Sequence, residues 1–342
     1  MSTAFESEIL SQGQLLRERT EDGREAAAKA AALLDQSVTH IVVAARGSSD
    51  CAAIYLQYLV GQELGVLTAL ATPSLYNDPR HVTLKGALVI GISQSGRSPD
   101  VVSVLTSART QGRPTIAITN DALSPLARAA DVVIPLLVGE EVSLAATKTM
   151  LASLQAASQF VQALLGEDLP SADDLPAMVA ATSDWALENV KRVTTELHLE
   201  GLTVVGRGLG LSSAEECALK IREVAGIRAE AYAAPDLLHG PIGADSSGST
   251  MWLIVTDEID DESAADLLTR AKASGMTTLV TRSSDRNATD ADVELVLPVL
   301  SPNWIAPFLN VVIGQVMALR LGEANNRPID QPPGLKKITL TN

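Results

Sequence analysis

The sequence predicts an α/β protein built on parallel sheets covered by helices, and three observations carry that expectation. Short runs of Val, Ile, Leu and Ala recur along the chain, each followed by an amphipathic stretch long enough to be a helix. Hydrophobic residues make up 46% of the 342 residues while aromatics make up only 3%, so the cores must be aliphatic. The strand–helix pattern also restarts past the midpoint, which reads as a duplication at domain scale. A chain of this length exceeds one average domain and suits two.

In order, residues 5–34 carry helical periodicity. VTHIVVAAR (38–46) is a buried strand, GSSD (47–50) a turn, and 52–64 a helix. LTALATPS (67–74) and ALVIGISQ (87–94) are the second and third strands, with a helix after SGRSPD through 110. PTIAITN (114–120) and DVVIPLL (131–137) complete the first set, and a long helix covers 145–165. GEDLPSADDLP (166–176) is acidic, holds two prolines and reads as a linker, with a connecting helix to about 197. The pattern restarts at GLTVVGRG (201–208), with a helix through 225 and strands at 249–257, 276–282 and 292–298. A helix over 304–321 closes the second set, and the proline-bearing end is an extended tail.

The net charge of −15 opposes a role in binding nucleic acid or an anionic membrane, since either needs a basic footprint. It leaves open a phosphorylated small molecule, because backbone N–H groups, hydroxyls and a helix N-terminus hold phosphate whatever the global charge. Cys51 and Cys217 are too few and too distant for a disulfide framework, and they read as buried thiols in a reducing compartment. The charged N-terminus has no apolar signal region, and no apolar stretch reads as long and uninterrupted enough to span a bilayer. A cytoplasmic protein with no metal or cofactor is expected.

In parallel α/β sheets, ligands bind at the carboxyl ends of strands near the point where strand order reverses. Two loops suit that place: Arg46-Gly47-Ser48-Ser49 and Ser93-Gln94-Ser95-Gly96-Arg97-Ser98. The second has small donors and a glycine for a tight turn before a helix, the composition needed to wrap phosphate. Its ordinary alternative is a Ser-rich turn that caps a helix. The equivalent loop of the second set, VTDEIDDESA (255–264), is acidic and would repel phosphate, so the duplication is functionally asymmetric.

Further along, Glu216, Lys220 and Glu223 fall at i, i+4 and i+7 and share a helix face. A solvated salt-bridge ladder is the bland explanation. His239 lies in AEAYAAPDLLHGP (229–241), which has no obvious packing period, and His40, His81 and His198 read as unremarkable.

At this point four stretches match a known family: GISQSGRSPDVV (91–102), GEEVSLAATKTM (139–150), EECALKIREVAGIRAEAYAAPDLLHGP (215–241) and IDQPPGLKKITLTN (329–342). In that order they resemble two-domain sugar-isomerase (SIS) enzymes, in particular the isomerase domain of glucosamine-6-phosphate synthase. The resemblance implies two tandem SIS domains, each a flavodoxin-like three-layer sandwich with a five-stranded parallel sheet. The boundaries are then a helical segment (1–35), a phosphate-binding domain (36–166), a linker (167–198), a second domain (199–328) and an active-site tail (329–342).

By the same resemblance, Ser48, Ser49, Ser93, Gln94, Ser95 and Ser98 bind phosphate, while Gly47, Leu144 and Ala145 line the sugar. Glu223 moves the proton between carbons 1 and 2, and His239 opens the ring in the neighbouring subunit's site, which implies a homodimer. Glu216, Lys220 and Lys337 complete the site. Aldose–ketose chemistry needs such a base beside a carbonyl-activated C–H, and ring opening needs a relay near neutral pH.

Two departures stand out. The synthase's glutaminase half is absent, and Ala146 replaces a hydroxyl residue before Thr-Lys. Without glutamine-derived ammonia the deaminating direction is favoured: glucosamine 6-phosphate to fructose 6-phosphate and ammonia. A deglycase or isomerase of another 6-phosphosugar, such as fructosamine 6-phosphate or galactosamine 6-phosphate, is the alternative. A non-catalytic phosphosugar-binding regulator is a third, disfavoured because no output domain is visible.

Overall fold

The computed structural model describes residues 2–77, 82–166, 169, 174–197, 199–244, 248–297, 302–334, 336 and 337. Two compact units emerge, and neither is one continuous segment. The first comprises Gln14–Glu141, Lys148–Ser171 and Lys336–Asn342, and the second Met1–Gly13, Val142–Thr147 and Ala172–Leu335.

Helices α1 (Ala4–Glu18) and α2 (Thr20–Ala31) open the chain. The first unit then runs β1 (His40–Ala44), α3 (Ser48–Leu64), β2 (Thr68–Leu70), β3 (Ala87–Ile92), α4 (Pro99–Thr110), β4 (Thr115–Thr119), α5 (Pro125–Arg128), β5 (Val132–Pro135) and α6 (Lys148–Leu165). Its strands form a five-stranded sheet in the order β2-β1-β3-β4-β5, parallel in every pairing. From β1 the chain goes outward to β2 and then crosses back to β3, so strand order reverses between β1 and β3. One core layer joins Val42, Ala44, Val89 and Ala117 to Val101, Val104 and Leu105 of α4. Each such buried aliphatic side chain contributes roughly 1.5–3 kcal/mol.

The second unit runs α7 (Leu175–Val193), β6 (Gly201–Gly206), α8 (Leu209–Lys220), a π-helical turn (Ile221–Ala225), β7 (Ala229–Ala233), α9 (Ala234–Leu238), β8 (Ser249–Ile254), α10 (Asp261–Ala273), β9 (Thr277–Ser283), β10 (Val293–Leu297) and α11 (Ala306–Ala324). Its parallel sheet has the order β10-β9-β8-β6-β7. Numbered from its own first strand, that is the same topology, with reversal between β6 and β8. Val205, Met251, Leu253 and Val280 pack on Leu267, Leu268 and Ala271 of α10.

A side-chain clasp repeats as well. Asp131, just before β5, accepts from Thr115 N (2.9 Å) and Oγ1 (2.8 Å). Asp292, just before β10, accepts from Thr278 N (2.8 Å) and Oγ1 (2.7 Å).

Several elements differ from the sequence expectation. Ser48 and Ser49 are the first residues of α3 rather than part of a turn, because Gly47 takes φ +60° and starts the helix one residue later. The second strand shrinks to Thr68–Leu70, after which Pro73 opens a 3₁₀ turn to Asn77. AEAYA, read as patternless, is the edge strand β7, whose half-exposed side chains hide a burial pattern. Asn303–Ala324 does meet the length and hydropathy of a membrane span (22 residues, mean hydropathy 1.5), contrary to expectation, but 94% of its apolar window is buried in the protein core. Much of the 166–176 linker, His81, His198 and the tail from 338 lie outside the described residues.

Candidate active site

The first unit gathers both serine loops where its strand order reverses. β1 leads into Gly47, whose carbonyl takes the amides of Asp50 (2.8 Å) and Cys51 (3.3 Å). The amides of Ser48 and Ser49 are left as donors at the N-terminus of α3. Next door, the 93–98 loop folds on itself: Gly96 N donates to Ser93 O and Oγ (both 3.2 Å), and Arg97 N to Ser95 Oγ (3.3 Å). Gly96 is required twice over. Its φ is +60°, and a Cβ there would meet Ser124 Oγ at 2.1 Å.

The helix-capping alternative is not realised. Ser98 is the N-cap residue of α4, but its side chain makes no capping hydrogen bond, whereas Ser124 does cap α5 through Ala127 N (3.2 Å). The Ser98 hydroxyl therefore stands at a helix N-terminus without a capping role. Arg46 joins the two loops by an ion pair to buried Asp100 (2.8 Å). It also offsets burial, which raises the Asp50 carboxyl.

Lys337 belongs to this unit, where its Nζ lies 3.0 Å from Oε2 of Glu141. The Glu141 carboxylate is wholly buried and accepts Thr149 N (3.0 Å) and Oγ1 (2.9 Å) at the start of α6. Leu144 and Ala145 belong to the second unit, where Leu144 N donates to Asp330 O (3.1 Å) and Ala145 is buried.

In the second unit, Glu216, Lys220 and Glu223 do come together. Lys220, 1% exposed, contacts Glu223 directly and lies 3.5 Å from Glu216 Oε1. This is no solvated ladder. The side chain of Glu216 is as buried as that of the lysine, while that of Glu223 is 22% exposed. Glu223 sits on the π-helical turn, a local departure frequent at functional sites. Cys217, between them, is buried, and burial followed by the charge of Glu216 holds its thiol well up. His239 is exposed on the turn after α9 and makes no ion pair with this group.

Where the second unit reverses strand order, Gly208 repeats the Gly47 geometry (φ +57° against +60°) and opens α8. Here the chain supplies its own anion. Glu258 accepts Leu209 N (3.3 Å) and Thr256 Oγ1 (2.7 Å), and a Cβ on Gly208 would meet its Oε1 at 2.6 Å. A Cβ on Gly47, by contrast, would meet nothing within 4 Å. Sequence reading singled out neither Glu258 nor Glu141. The general acidity of 255–264 was the available hint for the former, and the family-matching stretch 139–150, which contains Glu141, was the hint for the latter.

Residues 33–163 match the family model of the SIS domain. The chain is 33% identical over 282 residues to an isomerizing glutamine–fructose-6-phosphate aminotransferase of Sulfurisphaera tokodaii, covering 81% of this chain and 46% of that protein. A homologous enzyme of Halobacterium salinarum is 28% identical over 313 residues, covering 88% and 52%. The chain thus spans about half the length of these relatives. Among solved structures, the C-terminal domain of glucosamine-fructose-6-phosphate aminotransferase from Francisella tularensis superposes with a TM-score of 0.85 at 22% identity, covering 97% of this chain and 99% of that one. Glucosamine-6-phosphate deaminase from Thermotoga maritima gives 0.77 at 18%, covering 99% and 100%. Residues 33–163 are therefore a SIS domain, and the chain is a relative of the isomerase domain of glutamine–fructose-6-phosphate aminotransferase.

Proposed function

We propose that this protein converts glucosamine 6-phosphate and water to fructose 6-phosphate and ammonia. The observation that carries the reading is the pair of serine loops at the strand-order reversal of the first sheet, with uncommitted helix-terminal donors suited to a phosphate. Ser48, Ser49, Ser93, Gln94, Ser95 and Ser98 hold that group, with Gly47, Leu144 and Ala145 along the sugar.

His239, from the neighbouring subunit of a homodimer, opens the ring to the C1 aldehyde. Glu223 then takes the C2 proton and returns it to C1, which moves the carbonyl oxidation level to C2 as an imine. Water adds to that imine carbon and ammonia leaves, so the atoms balance. Glu223 suits the role better than Glu216, because it is the carboxylate of the pair that reaches the surface. Lys220 holds it in place, and Lys337 supplies a positive charge. The repeated topology, glycine start and Thr–Asp clasp support reading the second unit as a second SIS-type domain. A cytoplasmic location fits such a substrate.

The test is to supply glucosamine 6-phosphate and follow ammonia and fructose 6-phosphate together. Equal appearance of both, lost by about a thousand-fold in Glu223→Gln with sugar-phosphate binding retained, is the expected result. Ketose formation without ammonia would make the protein a plain isomerase. Turnover confined to substituted amines would make it a deglycase.

A further inference from the structure

We infer that Glu141 is a positioning residue: a buried, preassembled receptor that docks the ammonium of Lys337 on the first unit. The inference rests on the proposed function only in giving Lys337 a part in turnover. The docking itself stands on geometry.

Glu141 is held as few surface carboxylates are. Its side chain is fully buried, its two oxygens take the amide and hydroxyl of Thr149, and that amide belongs to the first turn of α6, where a negative charge is favoured. With both oxygens engaged by the helix start, Oε2 still meets Lys337 Nζ at 3.0 Å. The carboxylate is thus aimed before the lysine arrives.

The chain leading to Glu141 is pinned as well. Buried Arg19 donates to Pro135 O (3.2 Å) and Leu136 O (2.9 Å). Asn120 accepts from Val138 N (3.1 Å) and donates to Gly139 O (2.7 Å), and Lys148 donates to Glu140 O (2.5 Å). Between these anchors Leu137 is forced to φ +54°, a left-handed conformation that a leucine adopts only when its surroundings dictate it. So much fixation of an exit segment is more than β5 needs. It serves to present one carboxylate.

The adjacent Lys336 is exposed, which gives an internal standard. Amine acetylation of the unliganded protein, read residue by residue by mass spectrometry, reports Lys337 relative to Lys336. Glu141→Gln is expected to raise that ratio at least five-fold. With glucosamine 6-phosphate it should lower kcat more than it raises KM, and Glu141→Gln/Lys337→Met should be no slower than Lys337→Met alone. An unchanged labelling ratio overturns the docking, whatever turnover does. A raised ratio with unchanged turnover upholds the docking and removes Lys337 from the proposed mechanism. Should Glu141→Gln not fold, Thr149→Val keeps the charge but removes one donor. It is expected to raise the ratio two- to three-fold, and no rise overturns the inference equally.

Discussion

The two sheets share strand order, a glycine that starts the first helix at φ near +60°, and a Thr–Asp clasp at the far edge. They differ at the spot where such folds bind ligands. In the first unit no side-chain hydrogen bond caps α3 at Gly47; in the second, Glu258 accepts Leu209 N at the start of α8. Toward the opposite end of the same helix the second unit gathers Glu216, Lys220 and, on the π-turn beyond it, Glu223. Repeating a fold therefore repeated the scaffold but not the side chains at its helix start.

The sharpest break in this comparison is expected at Lys220. Lys220→Met would leave Glu216 buried beside a lost cation, and removing one partner of a buried pair costs about 3–5 kcal/mol. The loss should appear in the unfolding of the second unit, measured by denaturant titration. A cost below about 1 kcal/mol would mean that Glu216 is neutral in the folded protein. In the first unit the largest effect belongs to Gly96→Ala. It forces both a strained φ and a clash with Ser124, so sugar-phosphate affinity measured by calorimetry should fall at least ten-fold. Unchanged affinity would show that the 93–98 loop is not the phosphate cradle.

How much of this was legible beforehand follows sequence distance. Runs such as IVVA (41–44) and ALVIGI (87–92) announce themselves because both faces are buried and no charged or polar side chain interrupts them. β7 does not, since an edge strand reading AEAYA buries little beyond its first residue. The Glu216–Lys220–Glu223 group was visible because helix geometry alone aligns it. Glu141 and Lys337 are 196 residues apart, Arg46 and Asp100 are 54 apart, and Leu209 and Glu258 are 49 apart. No local period marks those partners; only the topology of the sheets brings them together. Family resemblance named Lys337 but not the carboxylate that receives it.

The finest test exchanges cap for ligand site. Ser98 and Glu258 both stand at helix N-termini, yet the Ser98 side chain bonds no amide of its helix while Glu258 bonds Leu209 N. Glu258→Ala should lower stability by about 1 kcal/mol through the lost cap, with sugar-phosphate affinity unchanged. Ser98→Ala should do the reverse, with stability within about 0.5 kcal/mol of wild type and affinity reduced roughly ten-fold, as for one hydrogen bond to a charged group. Thermal unfolding and calorimetry on the same two variants read both quantities. If Ser98→Ala instead destabilises and leaves affinity intact, the serine is an ordinary cap in solution and the asymmetry between the two sheet ends disappears. If Glu258→Ala gains a second bound phosphate per chain, the asymmetry is real and rests on that single carboxylate.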